Sequence, residues 1–258
     1  MVQLKYFGDS RDYFKYDLIT SVLEDMKVEN YAFVPMLTNH RVDNEGNKLP
    51  KIIGGKSADL LSFIGSCGSK SLCHWEKWLC KFVRNYKTLE PVNEVYFVDD
   101  TRDEYWDSFA AHLKEKNALI FLDPDTGLES GTKSYLRKMG REKYILNYEI
   151  ELLYGHLDPS SILMIYQHLP NNKHIHEDAV SKKLIQLKAS NDDALVCGYR
   201  EDDLVFLFMA KDSAVFNRLC ISITEYHAKS EHMYKSLHLT PNERLHSDGL
   251  QSSAFGPQ

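Results

Sequence analysis

The sequence predicts an α/β protein with a mostly parallel sheet, flanking helices and a C-terminal antiparallel hairpin, and three observations carry that prediction. The apolar run Ala118-Leu-Ile-Phe-Leu122 stops abruptly at Asp123-Pro-Asp125-Thr-Gly127, as a buried parallel strand does when it ends in a polar loop. The pattern recurs where Val95-Tyr-Phe-Val98 meets Asp99 and Asp100, and where Ile162-Leu-Met-Ile-Tyr166 meets Gln167 and His168. Helical stretches separate these segments, which is the alternation of a sheet with crossover helices. The carboxyl ends of parallel strands line one crevice, so these polar ends are expected to converge.

Taken in order, residues 9–27 place Tyr13, Phe14, Leu18, Ile19, Val22 and Leu23 at helical spacing behind Gly8-Asp9-Ser10, a capped start. Residues 31–37 read as a strand, with Pro35 suited to a terminal position. The polar stretch 38–57 reads as a long loop, a length often associated with function. Helices are expected at 57–64 and 72–86, the second carrying Trp75, Trp78, Leu79, Phe82 and Val83 as core residues. Strands at 94–99, 118–123 and 161–167 alternate with helices at 105–116 and 134–156, and a further helix is expected at 177–189. Strands 194–199 and 204–210 flank Arg200-Glu-Asp-Asp203 as a hairpin, and 214–234 reads as a closing helix. The expectation is one α/β domain over 1–236 with a helical insertion around 57–90, followed by a disordered tail over 237–258.

With 258 residues, 43% of them hydrophobic, the chain can bury a substantial core. No apolar run reaches the length of a membrane span, and the first residues lack a secretory pattern, so a soluble, cytoplasmic protein with no membrane partner is expected. The five cysteines form no Cys-x-x-Cys pair, which fits reduced thiols, and no metal is expected. A formal charge of −6 argues against nonspecific coating of nucleic acid but leaves room for a local basic groove. Lys133, Arg137, Lys138, Arg141 and Lys143 offer one, directly after the acidic loop.

The candidate catalytic residues are Asp123 and Asp125, two carboxylates on one turn able to shift each other's protonation, with Asp12 and His168 as neighbours in the crevice. Arg11 and Lys15, at the start of the first helix, are candidate phosphate contacts, as are Arg41, Lys138, Arg141 and Lys143. The turn 123–127 is also good loop sequence in its own right, with Asp as a cap.

Two local patterns point to a family. Gly8-Asp-Ser-Arg-Asp12-Tyr-Phe-Lys15-Tyr16 resembles the Gly-Asn-x-x-Asp-x-x-Lys-His opening of the J-type 23S ribosomal RNA adenine-N6 methyltransferases, and Asp123-Pro124 matches the start of their Asp-Pro-Pro-Tyr/Phe loop. The strand order looks like the class I methyltransferase, Rossmann-like fold. The resemblance implies S-adenosylmethionine as cofactor, Asp99 or Asp100 on a cofactor hydroxyl, and the Asp123-Pro124 loop accepting hydrogen bonds from a target amine. The chain departs from the family at Asp125 and Thr126, and no glycine-rich turn follows the first strand.

The expected function is therefore modification of a nucleic-acid base, DNA or RNA, by a methyltransferase-like enzyme. The alternative is a cofactor-free DNA glycosylase, of a kind used in phage defence, or a nucleotide hydrolase, using carboxylates in the same crevice. A third reading is a noncatalytic nucleotide-binding module.

Overall fold

The computed structural model describes residues 8–37, 57–68, 71–88, 98–109 and 112–239. Seven strands form one sheet in the order β2-β1-β3-β6-β8-β7-β9. β1 (Asn30–Pro35), β2 (Asn85–Thr88), β3 (Ala118–Asp123) and β6 (Ile162–His168) are parallel, whereas β7 (Leu195–Glu201), β8 (Leu204–Ala210) and β9 (Lys235–Leu239) add antiparallel pairs. A two-stranded ribbon, β4 (Gly127–Leu128) with β5 (Tyr144–Ile145), sits apart. This is a Rossmann-like α/β sheet with a C-terminal antiparallel extension.

Alternation along the strands decides which helices go where. Phe33, Phe121, Met164, Tyr199 and Phe206 face a core shared with α1 (Ser10–Met26), α2 (Ala58–Ser66), α3 (Cys73–Leu79) and α8 (Ser213–Lys229). Val34, Ile120, Leu163, Val205 and Leu207 face the opposite core, closed by α4 (Arg102–Phe109), α6 (Asn147–His156) and α7 (His176–Ser190). Central strands buried on both faces need continuous apolar sequence, and all six residues of β3 are buried.

From β1 the chain passes to β2 on one side and to β3 on the other, which makes the β1/β3 junction the switch point of the sheet. Pro35 is the last residue of β1, opposite Asp123, where its missing N–H costs the ladder little. The next residue, Met36, donates its N–H to the Asp123 carbonyl at 3.2 Å.

Several expectations are corrected. The helix expected over 72–86 ends at Leu79, and Asn85–Thr88 instead pair with the open edge of β1. Phe82 and Val83 still pack inward, from a turn, which is why their spacing imitated a helix. The helix expected over 134–156 is broken at Gly140, whose φ of 91° is open to glycine, into α5 (Lys133–Met139), a 3₁₀ turn at Arg141–Lys143, β5 and α6. The closing helix ends at Lys229, and 237–239 belong to β9 rather than to a tail, because the edge of β7 supplies backbone partners that a polar sequence does not advertise. Asp99 opens a 3₁₀ turn leading into α4. Residues 94–97 of the strand expected at 94–99, most of the loop at 38–57 and the tail beyond 239 lie outside the described residues.

A buried ion pair ties α4 and α6 to the ribbon. Glu149, fully buried, accepts from Arg102 Nε at 2.6 Å, Arg102 Nη2 at 2.8 Å, Trp106 Nε1 at 2.6 Å and the Leu146 N–H at 2.7 Å. Arg102 also donates to the carbonyls of Arg141 and Tyr144 at 3.1 and 2.6 Å. Because every acceptor site of Glu149 is used, truncation leaves a guanidinium and an indole N–H buried together without their partner. Glu149→Ala is expected to lower stability by about 3–5 kcal/mol in urea unfolding.

Candidate active site

α1 brings three polar side chains to the crevice because its first turn lies over the carboxyl ends of β3 and β6. Asp9 caps the helix, accepting the N–H groups of Arg11 and Asp12 at 2.9 Å each. Asp12 and Lys15 then follow on the next turn, three positions apart and on the same face.

Lys15 is the centre of the site. Its ammonium donates to Asp123 Oδ2 at 2.7 Å and pairs with Asp12 Oδ1 at 3.1 Å, with the Tyr166 ring 4.5 Å away and the Phe121 ring 5.9 Å away. Burial alone would drive Lys15 toward its neutral form, but the two carboxylates outweigh it and hold the pKa above the ordinary lysine value. Lys15 is thus a fixed cation and cannot act as a base near neutral pH. Asp123 is 2% exposed, and burial raises its pKa against the opposing pull of Lys15. Its second oxygen, Oδ1, is buried without a hydrogen-bond partner among the described residues.

A cleft of ≈ 470 Å³ opens in front of this cluster, within the size range of small-ligand sites. Asp12, Asp125, His168, Arg11, Lys15 and Lys143, six of the sequence candidates, line it. Asp123 is not among the lining residues and pairs with Lys15 from behind, at 2.7 Å. Asp99 and Asp100 also lie elsewhere. The Asp99 carboxylate is held by Arg102 at 3.4 Å and Arg141 at 2.9 Å. Lys138 and Arg141 are not among the lining residues, and Arg41 lies outside the described residues.

The wall formed by the 123–128 loop depends on Gly127. Its φ is +128°, and a Cβ there would stand 2.3 Å from the Gln167 side chain, which itself accepts the Leu128 N–H at 2.8 Å and donates to the Thr126 carbonyl at 3.2 Å. The Thr126 N–H in turn donates to the Lys143 carbonyl at 2.9 Å, so Asp125 is presented from a turn anchored on both sides.

Opposite, His168 sits 3.2 Å from the Tyr166 hydroxyl. Burial, together with the cations Arg11 and Lys15, keeps its pKa well below 6.5, so it faces the cleft as neutral imidazole.

Sequence reasoning missed Tyr144, Thr126, Asp203 and Asn171, which also line the cleft. Tyr144 stands on a strand of two residues, too short for any periodicity, and Asp203 lay in a hairpin turn read only as a connection. His176, which opens α7, is buried and bonds the Pro170 carbonyl at 2.7 Å.

No family model matches the chain, and no curated protein matches it. Among solved structures it is similar to an O-methyltransferase family protein from Burkholderia thailandensis, with a TM-score of 0.34 and 9% identity over 79% of this chain. The chain spans 57% of the length of that protein.

Two outcomes follow from the electrostatics. In the folded state His168 stays neutral at pH values where the unfolded chain binds a proton, so its contribution is present above about pH 6.5 and is lost as pH falls below it. Urea unfolding from pH 7 to 5 should show stability falling by up to about 1.4 kcal/mol per pH unit from this group, and His168→Gln should flatten the curve by that amount. Asp123→Asn leaves Lys15 with one carboxylate and should cost about 2–3 kcal/mol in the same measurement, where an exposed catalytic acid would cost almost nothing.

Proposed function

We propose that the protein is a methyltransferase-like enzyme that modifies a nucleic-acid base held in the Asp12–Lys15–Asp125–His168 cleft. One observation carries this reading: the cleft at the carboxyl ends of β3 and β6 is acidic. Four carboxylates (Asp9, Asp12, Asp125, Asp203) face three cations (Arg11, Lys15, Lys143), and Asp123 adds a further negative charge behind Lys15.

Such a surface suits a positively charged donor and an amine-bearing, uncharged base, and it disfavours a phosphate at its floor. S-adenosylmethionine fits by charge, with Asp12 and Asp125 as the described residues that would face its cationic end. When bound it supplies an electrophilic methyl group.

The chain's own contributions are acceptors and a fixed cation. Asp125 and Thr126, held by the Gln167–Gly127 contact, offer a carboxylate and a hydroxyl to an exocyclic amine, and Asp125 is placed to take the proton that the amine sheds. Lys15 holds Asp12 in place beside the substrate through their 3.1 Å ion pair. Neutral His168 supplies a donor or acceptor to a base edge without adding positive charge.

Calorimetric titration separates this reading from its rival. The wild-type protein should bind S-adenosylmethionine in the micromolar range and S-adenosylhomocysteine about tenfold more weakly, because the latter lacks the sulfonium charge. Asp125→Asn should lower methyl transfer by about 10²-fold or more with an unchanged circular-dichroism spectrum. Absence of binding to either compound would refute methyl transfer and turn the same carboxylates to cofactor-free cleavage of a glycosidic bond, to be assayed as base release.

A further inference from the structure

The rim of the cleft reverses the charge of its floor. Between Lys133 and Lys143 the chain carries five cations against a single acid, Glu142. Lys133, Arg137 and Lys138 are exposed, and with Lys143 their side chains have no hydrogen bond or ion pair among the described residues; Arg141 alone is neutralised, by Asp99 at 2.9 Å. The arrangement serves the helix only in part: Arg137 and Lys138 sit in the last turn of α5, where the dipole favours cations, but Lys133 occupies its first residue, at the positive end of the dipole, one turn from Arg137 at the unfavourable like-charge spacing. A local rule broken without internal compensation points to an external anion.

The rim is also joined to the cleft. Met139 and Lys143 line it, and Leu136 packs with Tyr144 and Leu146 in a small apolar cluster. Tyr135 is 44% exposed. Its ring lies against Gly131, where φ is +78° and a Cβ would stand 3.0 Å from the ring, and its hydroxyl is near that of Tyr144.

We propose that this rim docks the sugar–phosphate backbone of a nucleic-acid strand, with Tyr135 stacking on the base next to the one delivered into the cleft. The inference rests on the reading of the cleft as a base site. A nucleotide divides its charge as the protein does: phosphates meet Lys133, Arg137, Lys138 and Lys143, while the uncharged base enters among carboxylates. An acidic peptide does not divide this way, since its charged side chains would have to meet the acidic floor. An aromatic face among cations is the usual platform for single strands, which makes a single strand or a flipped-out base the favoured form.

The test is fluorescence anisotropy with a labelled mixed-sequence oligonucleotide, as DNA and RNA, single-stranded and duplex, without cofactor. Wild-type protein should bind the single strand more tightly than the duplex. The triple substitution Lys133→Glu, Arg137→Glu, Lys138→Glu, all at exposed positions, should weaken single-strand binding about 30-fold or more and reduce the log–log salt slope by about 2. Tyr135→Phe should bind as wild type and Tyr135→Ala about tenfold more weakly.

Wild-type affinity and slope in the triple variant would overturn the proposal, as would failure of the wild-type protein to bind any of the oligonucleotides. Equal losses for Tyr135→Phe and Tyr135→Ala would assign that residue to its Tyr144 contact and overturn the stacking role. Because no cofactor is present, these outcomes are independent of the calorimetric result, which decides the cleft chemistry by itself.

Discussion

Everything at the site depends on one buried ammonium group. Lys15 is enclosed by Asp123, Asp12 and the Tyr166 ring, and it joins α1 to the ends of two central strands. Removing such a cation would leave two carboxylates close together in a poorly solvated place, where they could not both stay ionised. The pairing therefore fixes charge as well as position. It keeps the crevice anionic without adding a group that titrates near neutrality, and it makes the first helix part of the strand-end chemistry.

That constraint reassigns the acidic loop. Asp123 and Asp125 look equivalent in sequence, two carboxylates astride one proline. In the fold they separate: Asp123, the last residue of β3, turns into the α1 interface, whereas Asp125 faces the cleft. Strand alternation would leave positions 123 and 125 on one face; the end of β3 at Asp123 and the turn that follows make the difference. The Gly127 backbone then allows Gln167 of the adjacent strand to close over the loop, so the presentation of Asp125 is set by β6 as much as by its own segment.

The strands at 118–123 and 161–167 and their polar ends were legible because central strands buried on two faces need uninterrupted apolar sequence. The helix opening at Asp9 was legible because capping is local. What the sequence hid was tertiary in origin. β2 and β9 are edge strands with mixed polarity, formed because an open neighbouring strand offers hydrogen bonds. Tyr144 reaches the cleft only because Arg102 and Glu149, themselves far apart in sequence, hold the chain before α6 in place. Lys15 was visible as a candidate anion contact, yet nothing local revealed that its partner would be Asp123.

The Arg102–Glu149 pair and the Lys15–Asp123 pair are alike in being buried, yet they do different work. The first has every nearby donor and acceptor satisfied, and so it holds the cleft wall and the turn at Arg141–Lys143 rigidly against α4 and α6. The second leaves Asp123 Oδ1 without a partner among the described residues and faces a cavity through Lys15 and Asp12. Saturation costs little to maintain, whereas an unsatisfied buried carboxylate oxygen costs stability that a purely structural pair has no reason to forgo. The asymmetry places rigidity on one side of the cleft and unspent electrostatic potential on the other, which is the division expected of a site whose wall must stay still while its floor engages a ligand.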